Sequence, residues 1–268
     1  MRAILLTSTF RRHRFAANHL AERCDLRGVW QEVKTFVPER HAEDARTAEV
    51  IRRHFAARDE SEARYFAADD ELRLSPDALA REVGPGGCSD PGEVARMAAL
   101  EPDVVLVFGT GILRQPVLRA FDGRLLNIHL GLSPYYRGAG TNFWPLVNRE
   151  PEYVGATIHV LDAGIDTGPI LAHVRPALLP DDGPHDVGNK TIVAAVDGLY
   201  RAAEAHAAGR ARAVPQGGGG RLYQRRDFGA AAVEQMLGNF ATVMLPEYLE
   251  DRARRDAALR LVSLDSAA

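Results

Sequence analysis

Three polar side chains of types that catalyse acyl transfer occur in two short motifs, Asn127-Ile128-His129 and Gly164-Ile165-Asp166-Thr167-Gly168-Pro169. An amide and an imidazole can donate hydrogen bonds to an oxyanion, and a carboxylate can hold an imidazolium or accept a proton. If a loop brings Asp166 back to Asn127 and His129, the set suits transfer of an acyl group to an amine. We therefore take these three as the candidate catalytic residues.

The residues around the first motif, 124–130, predict a short strand, because apolar and polar side chains alternate along them. Asn127 and His129 then share one face of the strand, and Leu126 and Ile128 share the other. A polar face on an otherwise apolar strand is not explained by packing alone. We interpret this face as the floor of a functional site.

The remaining sequence predicts strands and helices that hold this strand in place. Compact or alternating apolar runs predict further strands, at residues 3–7, 28–36, 103–108, 155–161 and 170–174. Amphipathic or cap-and-proline patterns predict helices, at residues 15–23, 41–66 (one or two helices), 75–83, 91–100, 116–120, 141–148, 186–208, 230–237 and 246–261. The order of the elements predicts an α/β fold with a mostly parallel sheet flanked by helices.

Polar residues follow three of the predicted strands, at residues 108–111, 129–138 and 162–168. In open α/β sheets ligands collect at the carboxyl ends of strands. We therefore expect these three loops to converge there on one crevice.

The chain divides into a catalytic domain over residues 1–210 and a small, mainly helical C-terminal extension over residues 211–268. The glycine run at 216–220 predicts a turn or linker between them. The apolar side chains of the extension can supply a homodimer contact. They are Met236, Leu237, Phe240, Met244 and Leu245.

The composition is that of an ordinary globular protein. The 268 residues are 46% hydrophobic and carry a formal net charge of −3, which allows a core and argues against a general nucleic-acid binder. No window reaches the ~18 apolar residues of a membrane helix, and the N-terminus lacks a secretory pattern, so we expect a cytoplasmic protein without membrane attachment. Cys24 and Cys88 lie in different segments, and no ligand spacing predicts a metal site.

Four motifs in the middle of the chain carry a family resemblance. They are Asn127-Ile128-His129, Leu132-Ser133-Pro134-Tyr135-Tyr136-Arg137-Gly138, Gly155-Ala156-Thr157-Ile158-His159 and Asp162-Ala163-Gly164-Ile165-Asp166-Thr167-Gly168-Pro169. In order and spacing this set resembles the folate-dependent formyltransferase family. That family includes the nucleotide-sugar N-formyltransferases and, more distantly, the methionyl-tRNA and glycinamide ribonucleotide formyltransferases.

The resemblance implies a Rossmann-like formyltransferase fold and transfer of the formyl group of 10-formyltetrahydrofolate to a primary amine, without a metal. Asn127 and a protonated His129 can then donate hydrogen bonds to the developing alkoxide. Asp166 can favour the imidazolium and accept the amine proton, directly or through water. The residues that the resemblance assigns to the folate cofactor are Phe108, Gly109, Gly111, Ile112, Leu113, Leu161, Asp162, Gly164 and Ile165.

The acceptor that the resemblance favours is a nucleotide-linked amino sugar of polysaccharide biosynthesis. Residues 7–14 stand where a glycinamide ribonucleotide enzyme has a glycine-rich phosphate loop, so that substrate is disfavoured. The residues after Gly220 mix acidic and basic side chains, unlike a basic tRNA-binding domain. Residues 220–228 resemble the segment that follows the catalytic domain in the nucleotide-sugar enzymes. One departure, Gly131-Leu132-Ser133-Pro134 in place of the usual Ser-Leu-Leu-Pro, is expected to change the shape of the loop.

Eight further side chains are candidates for the site, six on its acceptor side and two that orient the catalytic residues. The basic residues near the first predicted helix can meet a diphosphate, with a solvated helix start as the alternative, and the Tyr-Tyr-Arg turn can line the substrate, with a packed turn as the alternative. Thr157 and His159 share a strand face and are expected to orient the site. The acceptor candidates are Arg11, Arg12, His13, Tyr135, Tyr136 and Arg137.

Other functions stay open at this point. A formyltetrahydrofolate hydrolase would use the same three groups with water in place of the amine, although such enzymes usually carry an N-terminal regulatory domain. A methionyl-tRNA formyltransferase-like enzyme would share the chemistry. A non-catalytic nucleotide-binding protein would keep the fold, yet none of the three catalytic groups is missing.

Overall fold

The secondary structure comes from a computed structural model that describes residues 1–34, 42–164 and 166–264. The strands are β1 (Arg2–Ser8), β2 (Asp25–Glu32), β3 (Leu79–Val83), β4 (Val104–Val107), β5 (Leu125–His129), β6 (Tyr136–Gly138), β7 (Ala156–Val160), β8 (Ile170–Val174) and β9 (Arg221–Tyr223). The helices are α1 (Arg11–Ala21), α2 (Ala45–Tyr65), α3 (Pro91–Ala99), α4 (Gln115–Ala120), α5 (Trp144–Val147), α6 (Pro184–Ala207), α7 (Ala230–Ala241), α8 (Met244–Glu250) and α9 (Arg252–Asp256).

Seven strands pair into one sheet in the order β3-β2-β1-β4-β5-β7-β8. The first five of these are parallel, and β7 runs antiparallel to both β5 and β8. Helices cover the sheet on both faces, which is why strands such as β4, with the sequence Val-Val-Leu-Val, are continuously apolar and buried. The prediction of an α/β fold with a mostly parallel sheet is confirmed.

Alternate side chains of the central strands enter two separate cores. Leu5, Leu106 and Ile158 pack with apolar residues of α1 and α6 on one face. Ile4 and Trp30 pack with residues of α3 and α4 on the other. The two-residue period of a strand produces this division, and it fixes which residues of β5 and β7 can face a ligand.

The predicted helix at residues 75–83 is wrong, because residues 79–83 form β3, which pairs in parallel with β2 at the edge of the sheet. The Ser-Pro-Asp sequence is a helix-start signal, but hydrogen bonding to an open sheet edge outweighs it. Leu79, Arg81 and Val83 are less exposed than the residues between them. This alternation of exposure is typical of a strand at the edge of a sheet.

Several predicted boundaries also differ from the structure. Helix α1 begins at Arg11 and strand β2 at Asp25, both earlier than predicted, and the helix predicted at 246–261 is divided between α8 and α9. The predicted strand at 28–36 and helix at 41–66 each extend into residues 35–41, outside the described residues. The last residues of the extension, 265–268, are outside them too.

The C-terminal extension packs on the rest of the chain through a third core. Met236, Met244 and Leu245 are at most 2% exposed and pack with Tyr136 and Trp144. Most of the apolar residues proposed for a dimer contact are therefore buried within one chain, although Leu237 is 47% exposed. The homodimer and the domain boundary at residue 210 stay predictions.

Two histidines face each other where α2, α6 and α7 meet. The rings of His54 and His185 lie 4.9 Å apart between centroids, and Phe143 and Phe228 pack around His54. The Nδ1 atom of His54 is buried without a hydrogen-bond partner among the described residues. Burial, reinforced by the nearby charge of Arg58, lowers the pKa of each imidazole to about 4. Both rings are therefore neutral in the folded protein at neutral pH.

We expect the free energy of unfolding to fall as the pH drops from about 6.5 towards 4. The unfolded chain takes up protons at the ordinary histidine pKa of about 6.5, whereas the folded chain does not until about pH 4. The contribution of these histidines to the free energy of unfolding is therefore complete above pH ~6.5, the pKa of the unfolded chain. Below that pH it falls by about 1.4 kcal/mol per pH unit for each proton that the unfolded chain binds and the folded chain does not. Urea unfolding from pH 7 to pH 5 measures this slope. His54→Phe removes one of the two histidines and should reduce this slope, and an unchanged slope would contradict the prediction.

No helix within the described ranges is both long and apolar enough to cross a membrane.

Candidate active site

The floor of the site is built from two paired strands. In the antiparallel register of β5 and β7, Asn127 lies opposite His159 and His129 lies opposite Thr157. Directly opposed residues of an antiparallel pair project from the same face, so the four side chains form one polar patch. The sequence predicted this face on each strand separately.

The prediction that three loops converge at the carboxyl ends of strands is wrong for the third loop. Strand β7 runs antiparallel to β5, and Leu161 donates its amide hydrogen to the carbonyl of Leu125, at the beginning of β5. The segment after β7 therefore starts at the opposite end of the strand from His129. Asp166 reaches the polar patch by folding back over the face of the sheet.

The folded-back loop brings Asp166 into contact with the polar patch. Its Oδ2 atom lies 3.2 Å from Nδ1 of His129, and its Oδ1 atom lies 3.5 Å from both Nδ2 of Asn127 and Nε2 of His159. The three candidate catalytic residues are thus in one cluster, although 39 positions separate Asn127 from Asp166. Their catalytic roles stay predictions.

The electrostatics of Asp166 favour its charged form. Burial acts to raise the pKa of this carboxyl, but hydrogen bonds to His129 and His159 outweigh burial and lower the pKa well below its ordinary value. Asp166 is consequently an anion at neutral pH. Since it faces Nδ1 of His129, it holds the imidazole in a fixed orientation and favours a proton on that nitrogen.

The other nitrogen of His129 is free for chemistry. Its Nε2 atom is buried and has no hydrogen-bond partner among the described residues. A methyl group at Gly131 would lie 2.9 Å from Nε2 and 2.5 Å from Oγ1 of Thr141, so only a glycine leaves room beside this nitrogen. In the imidazolium form of His129, this buried Nε2 can donate a hydrogen bond to a reacting group.

His159 holds two of the candidate catalytic residues. It is fully buried, and its Nε2 atom lies 3.0 Å from Nδ2 of Asn127 as well as 3.5 Å from Asp166. Its Nδ1 atom lies 3.2 Å from the carbonyl of Val160. The ring is therefore fixed at both nitrogens, which suits the predicted orienting role.

Thr157 anchors the loop that follows β5. Its hydroxyl accepts a hydrogen bond from the Ser133 amide at 2.9 Å and donates one to the Gly131 carbonyl at 2.6 Å. Ser133 is also held by His173, whose Nε2 atom donates to the Ser133 carbonyl at 2.8 Å and whose Nδ1 atom accepts from the Val262 amide at 2.9 Å. Sequence reasoning missed His173. The sequence offered no local signal for it, because its position opposite Thr157 depends on the pairing of β7 with β8.

We expect Thr157→Val to lower the free energy of unfolding by about 1–3 kcal/mol, because two buried backbone groups lose their partner while the shape is kept. Thr191→Val is the control, since Thr191 is equally buried and, among the described residues, its hydroxyl bonds to the carbonyl of Val187 in its own helix. Urea unfolding of both variants measures the difference. Equal losses would contradict the anchoring role.

The predicted cofactor loop after β4 rests on His13. Phe108 is buried with its ring 4.8 Å from that of His13, and Gly109 has φ +77 with a prospective Cβ position 2.5 Å from the His13 ring. The Gly111 amide donates to Glu32 at 3.1 Å. Ile112 is 71% exposed at the tip of the loop, so the loop offers apolar surface.

The second predicted cofactor loop, after β7, is held by its own side chains. Asp162 accepts hydrogen bonds from the Gly164 amide at 3.0 Å and from the Thr167 hydroxyl at 2.8 Å. Leu113 and Leu161 are both partly buried and pack against the same core. Ile165 lies outside the described residues. Contacts of both loops with a folate stay predictions.

The structure gives most of the predicted acceptor residues other partners. Arg11 pairs with Asp70, and Arg12 pairs with Glu62 at 2.6 Å. His13 is 3% exposed beneath the cofactor loop, and burial lowers its pKa well below the ordinary value. A direct diphosphate contact from these three therefore lacks support in the geometry.

The Tyr-Tyr-Arg turn combines packing with one available cation. Tyr136 is 2% exposed, stacks on Tyr223, and accepts a hydrogen bond from Arg221 at 2.7 Å. Tyr135 accepts a hydrogen bond from the amide of Arg260 at 2.6 Å. The Nε atom of Arg137 is buried and has no hydrogen-bond partner among the described residues. Arg137 is the member of this turn best placed to bind an anion.

In the part of the chain that the structure describes, there is no cluster of three or more histidine, cysteine or acidic side chains arranged to hold a metal ion.

Residues 41–203, which include the whole polar patch and the Asp166 loop, match the family model for the formyl transferases. The chain belongs to the formyl transferase family. Within it, the chain is 37% identical over 146 residues to a methionyl-tRNA formyltransferase from a Roseiflexus species, an alignment that covers 54% of this chain and 43% of the relative. The chain spans less than half the length of the curated relatives it matches.

Solved structures share the fold. A sugar N-formyltransferase from Shewanella superposes with a TM-score of 0.54 at 18% identity, covering 85% of this chain and 78% of that one. Glycinamide ribonucleotide transformylase 1 from Symbiobacterium toebii superposes with a TM-score of 0.53 at 21% identity, covering 80% and 94%. The predicted formyltransferase fold is confirmed.

Proposed function

We propose that this protein transfers a formyl group from 10-formyltetrahydrofolate to the primary amine of a small molecule, and that the acceptor is a nucleotide-linked amino sugar. The observation that carries the transfer chemistry is the contact of the Asp166 carboxylate with Nδ1 of His129 at 3.2 Å, beside Asn127. 10-Formyltetrahydrofolate supplies the formyl group and leaves as tetrahydrofolate.

Asn127 and His129 manage the negative charge of the reaction. When an amine attacks the formyl carbon, its oxygen gains charge, and the Asn127 amide and Nε2 of a protonated His129 donate hydrogen bonds to it. Preorganised donors of this kind contribute roughly 10²–10³ in rate each. The buried ring of His159 lies 3.0 Å from the Asn127 amide nitrogen, so the donor is oriented before the acceptor arrives.

Asp166 acts mainly through its charge. A carboxylate whose pKa lies well below the ordinary value is a weak base, so it is better suited to stabilising the His129 imidazolium than to keeping the proton of the amine. Water beside Asp166, which is 27% exposed in its side chain, can carry that proton to the folate nitrogen whose bond to the formyl carbon breaks. Of the two roles that the sequence suggested for Asp166, stabilising the imidazolium and accepting the amine proton, the first is therefore favoured.

The choice of acceptor rests on the segment beside the Tyr-Tyr-Arg turn. The pairing of β9 with β6 places residues 220–223 beside the Tyr-Tyr-Arg turn, and Arg137 offers an available cation near that turn. The resemblance of residues 220–228 to the nucleotide-sugar enzymes agrees with this placement. Methionyl-tRNA is the second candidate, favoured by the 37% identity to the Roseiflexus relative.

The test is incubation of the purified protein with 10-formyltetrahydrofolate and either a panel of nucleotide-linked amino sugars or methionyl-tRNA. We expect an amino sugar to gain one formyl group by mass spectrometry, with matching release of tetrahydrofolate. His129→Ala serves as the inactive control. Formylation of methionyl-tRNA alone would support the second candidate, and formate release without any amine would indicate a hydrolase.

A further inference from the structure

Residues 214–223, which we call the bridging segment, contact two parts of the candidate site, the strand after the Asp166 loop and the Tyr-Tyr-Arg turn. At its start, Val214 pairs with Ile170 through two backbone hydrogen bonds of 2.7 and 2.8 Å. Near its end, the Arg221 amide donates to the Tyr135 carbonyl at 2.8 Å, and a Cβ at Gly220 would lie 1.7 Å from the Pro134 carbonyl oxygen. The bridging segment therefore connects β8, which follows the Asp166 loop, to the Tyr-Tyr-Arg turn.

The side chain of Gln216 fastens this segment to the Asp166 loop. Its Nε2 atom donates to the carbonyl of Asp166 at 2.9 Å and to the carbonyl of Gly168 at 2.6 Å. A primary amide carries two N–H donors, so a single glutamine can bind two carbonyls at once. The backbone on both sides of Thr167 is thereby fixed.

The Asp166 loop has an unfavourable backbone conformation and little packing of its own, so an added hydrogen bond would help to hold it. Asp166 has φ +51, a left-handed conformation that residues other than glycine adopt rarely. Asp162, Ala163, Gly164 and Thr167 are exposed, so little packing holds the loop over the sheet. Because the Asp166 carboxylate contacts His129 at the margin of hydrogen-bond length, a small displacement of the loop would break that contact.

We propose that Gln216 is a positioning residue for formyl transfer, which fixes the backbone of Asp166 so that its carboxylate stays on His129. The inference rests on the proposed function and assigns a role to a residue beyond the family match at 41–203. Gln216 acts through Asp166.

Three substitutions separate positioning from simple folding. Gln216→Met keeps the length of the side chain and removes both donors, and Gln216→Ala removes the side chain. Each is expected to lower kcat by about 10²-fold with little change in the KM of the amine, because misplacement of a catalytic group by about 1 Å costs that much. Gln235→Ala is the control, since Gln235 also lies in the extension and donates to one backbone carbonyl, that of Val147.

Gln216→Glu gives a signature in pH. Ionised, the new carboxylate would face two carbonyl oxygens and repel them, whereas its protonated form can donate one hydrogen bond. The kcat of this variant relative to that of the wild type should therefore rise as the pH is lowered. A residue needed only for folding would show no such recovery at temperatures below the melting transition.

Hydrogen exchange of the peptide spanning residues 161–170 tests the inference apart from activity. Exchange should be faster in Gln216→Met and Gln216→Ala than in the wild type, and unchanged in Gln235→Ala. Wild-type exchange together with wild-type kcat in both variants would overturn the inference. If the wild type transfers no formyl group, the proposed function fails, and the exchange result alone decides whether Gln216 holds the loop.

Discussion

Asp166→Asn is expected to lower kcat for formyl transfer by about 10³-fold. The change keeps the shape of the side chain and removes the charge that favours a proton on His129, whose Nδ1 atom lies 3.2 Å from the carboxylate. Binding of the formyl donor should change little, because the carboxylate contacts protein groups. Single-turnover rates at saturating formyl donor measure the effect. The prediction rests on the proposed function.

The control for this substitution is Asp25→Asn, at the exposed start of β2, where the carboxylate pairs with Arg27. It should leave the rate unchanged. A wild-type rate in Asp166→Asn would show that the site operates without this charge and would remove the main support for the mechanism. Equal losses in both variants would indicate a general effect on folding.

Gly168→Ala should be almost as damaging and should also affect stability. A Cβ at residue 168 would lie 1.7 Å from the carbonyl oxygen of Val160, so the chain must move apart where the Asp166 loop returns to the sheet. We expect a loss of about 1–3 kcal/mol in the free energy of unfolding from this overpacking. Since Asp166 is two residues away, kcat should fall by about 10²-fold. Urea unfolding and steady-state kinetics measure the two effects.

Gly188→Ala provides the matched control, because Gly188 lies in α6 and the prospective Cβ faces open space beyond its own helix, as far as the described residues show. In an open helical position alanine is favoured over glycine by up to about 1 kcal/mol, so this variant should be at least as stable as the wild type. A stable and active Gly168→Ala protein would mean that the loop can return to β7 by another path.

The sequence predicted the parts of the fold that depend on local pattern. Strand β4 and helix α3 carry an unbroken apolar run and a proline start after an aspartate cap, and both were located to within one residue at each end. Strand β3 was misjudged, because its partner β2 lies about fifty residues earlier in the chain. The direction of β7 was equally beyond local pattern, since antiparallel pairing depends on the whole path of the chain.

For the site, residue types were more informative than contacts. Asn127, His129 and Asp166 could be grouped because their spacing matched a known arrangement. The ion pair of Arg12 with Glu62 could not be anticipated, since 50 positions separate the two residues and either could have been a solvated charge. Gln216 showed no local signal either, because a glutamine before a run of glycines is ordinary in a linker.

His173 joins two parts of the molecule through a ring that must be uncharged. The Val262 amide can only give a proton to Nδ1, and the Ser133 carbonyl can only accept one from Nε2. Burial lowers the pKa of this imidazole, in opposition to the bond to Ser133, and keeps it neutral near physiological pH. In sufficiently acidic solution Nδ1 of His173 would be protonated and could no longer accept the hydrogen bond from the Val262 amide. The Val262 amide would then be left unpaired, and the bond from the His173 amide to the Val262 carbonyl at 2.8 Å would remain as the link between this segment and β8.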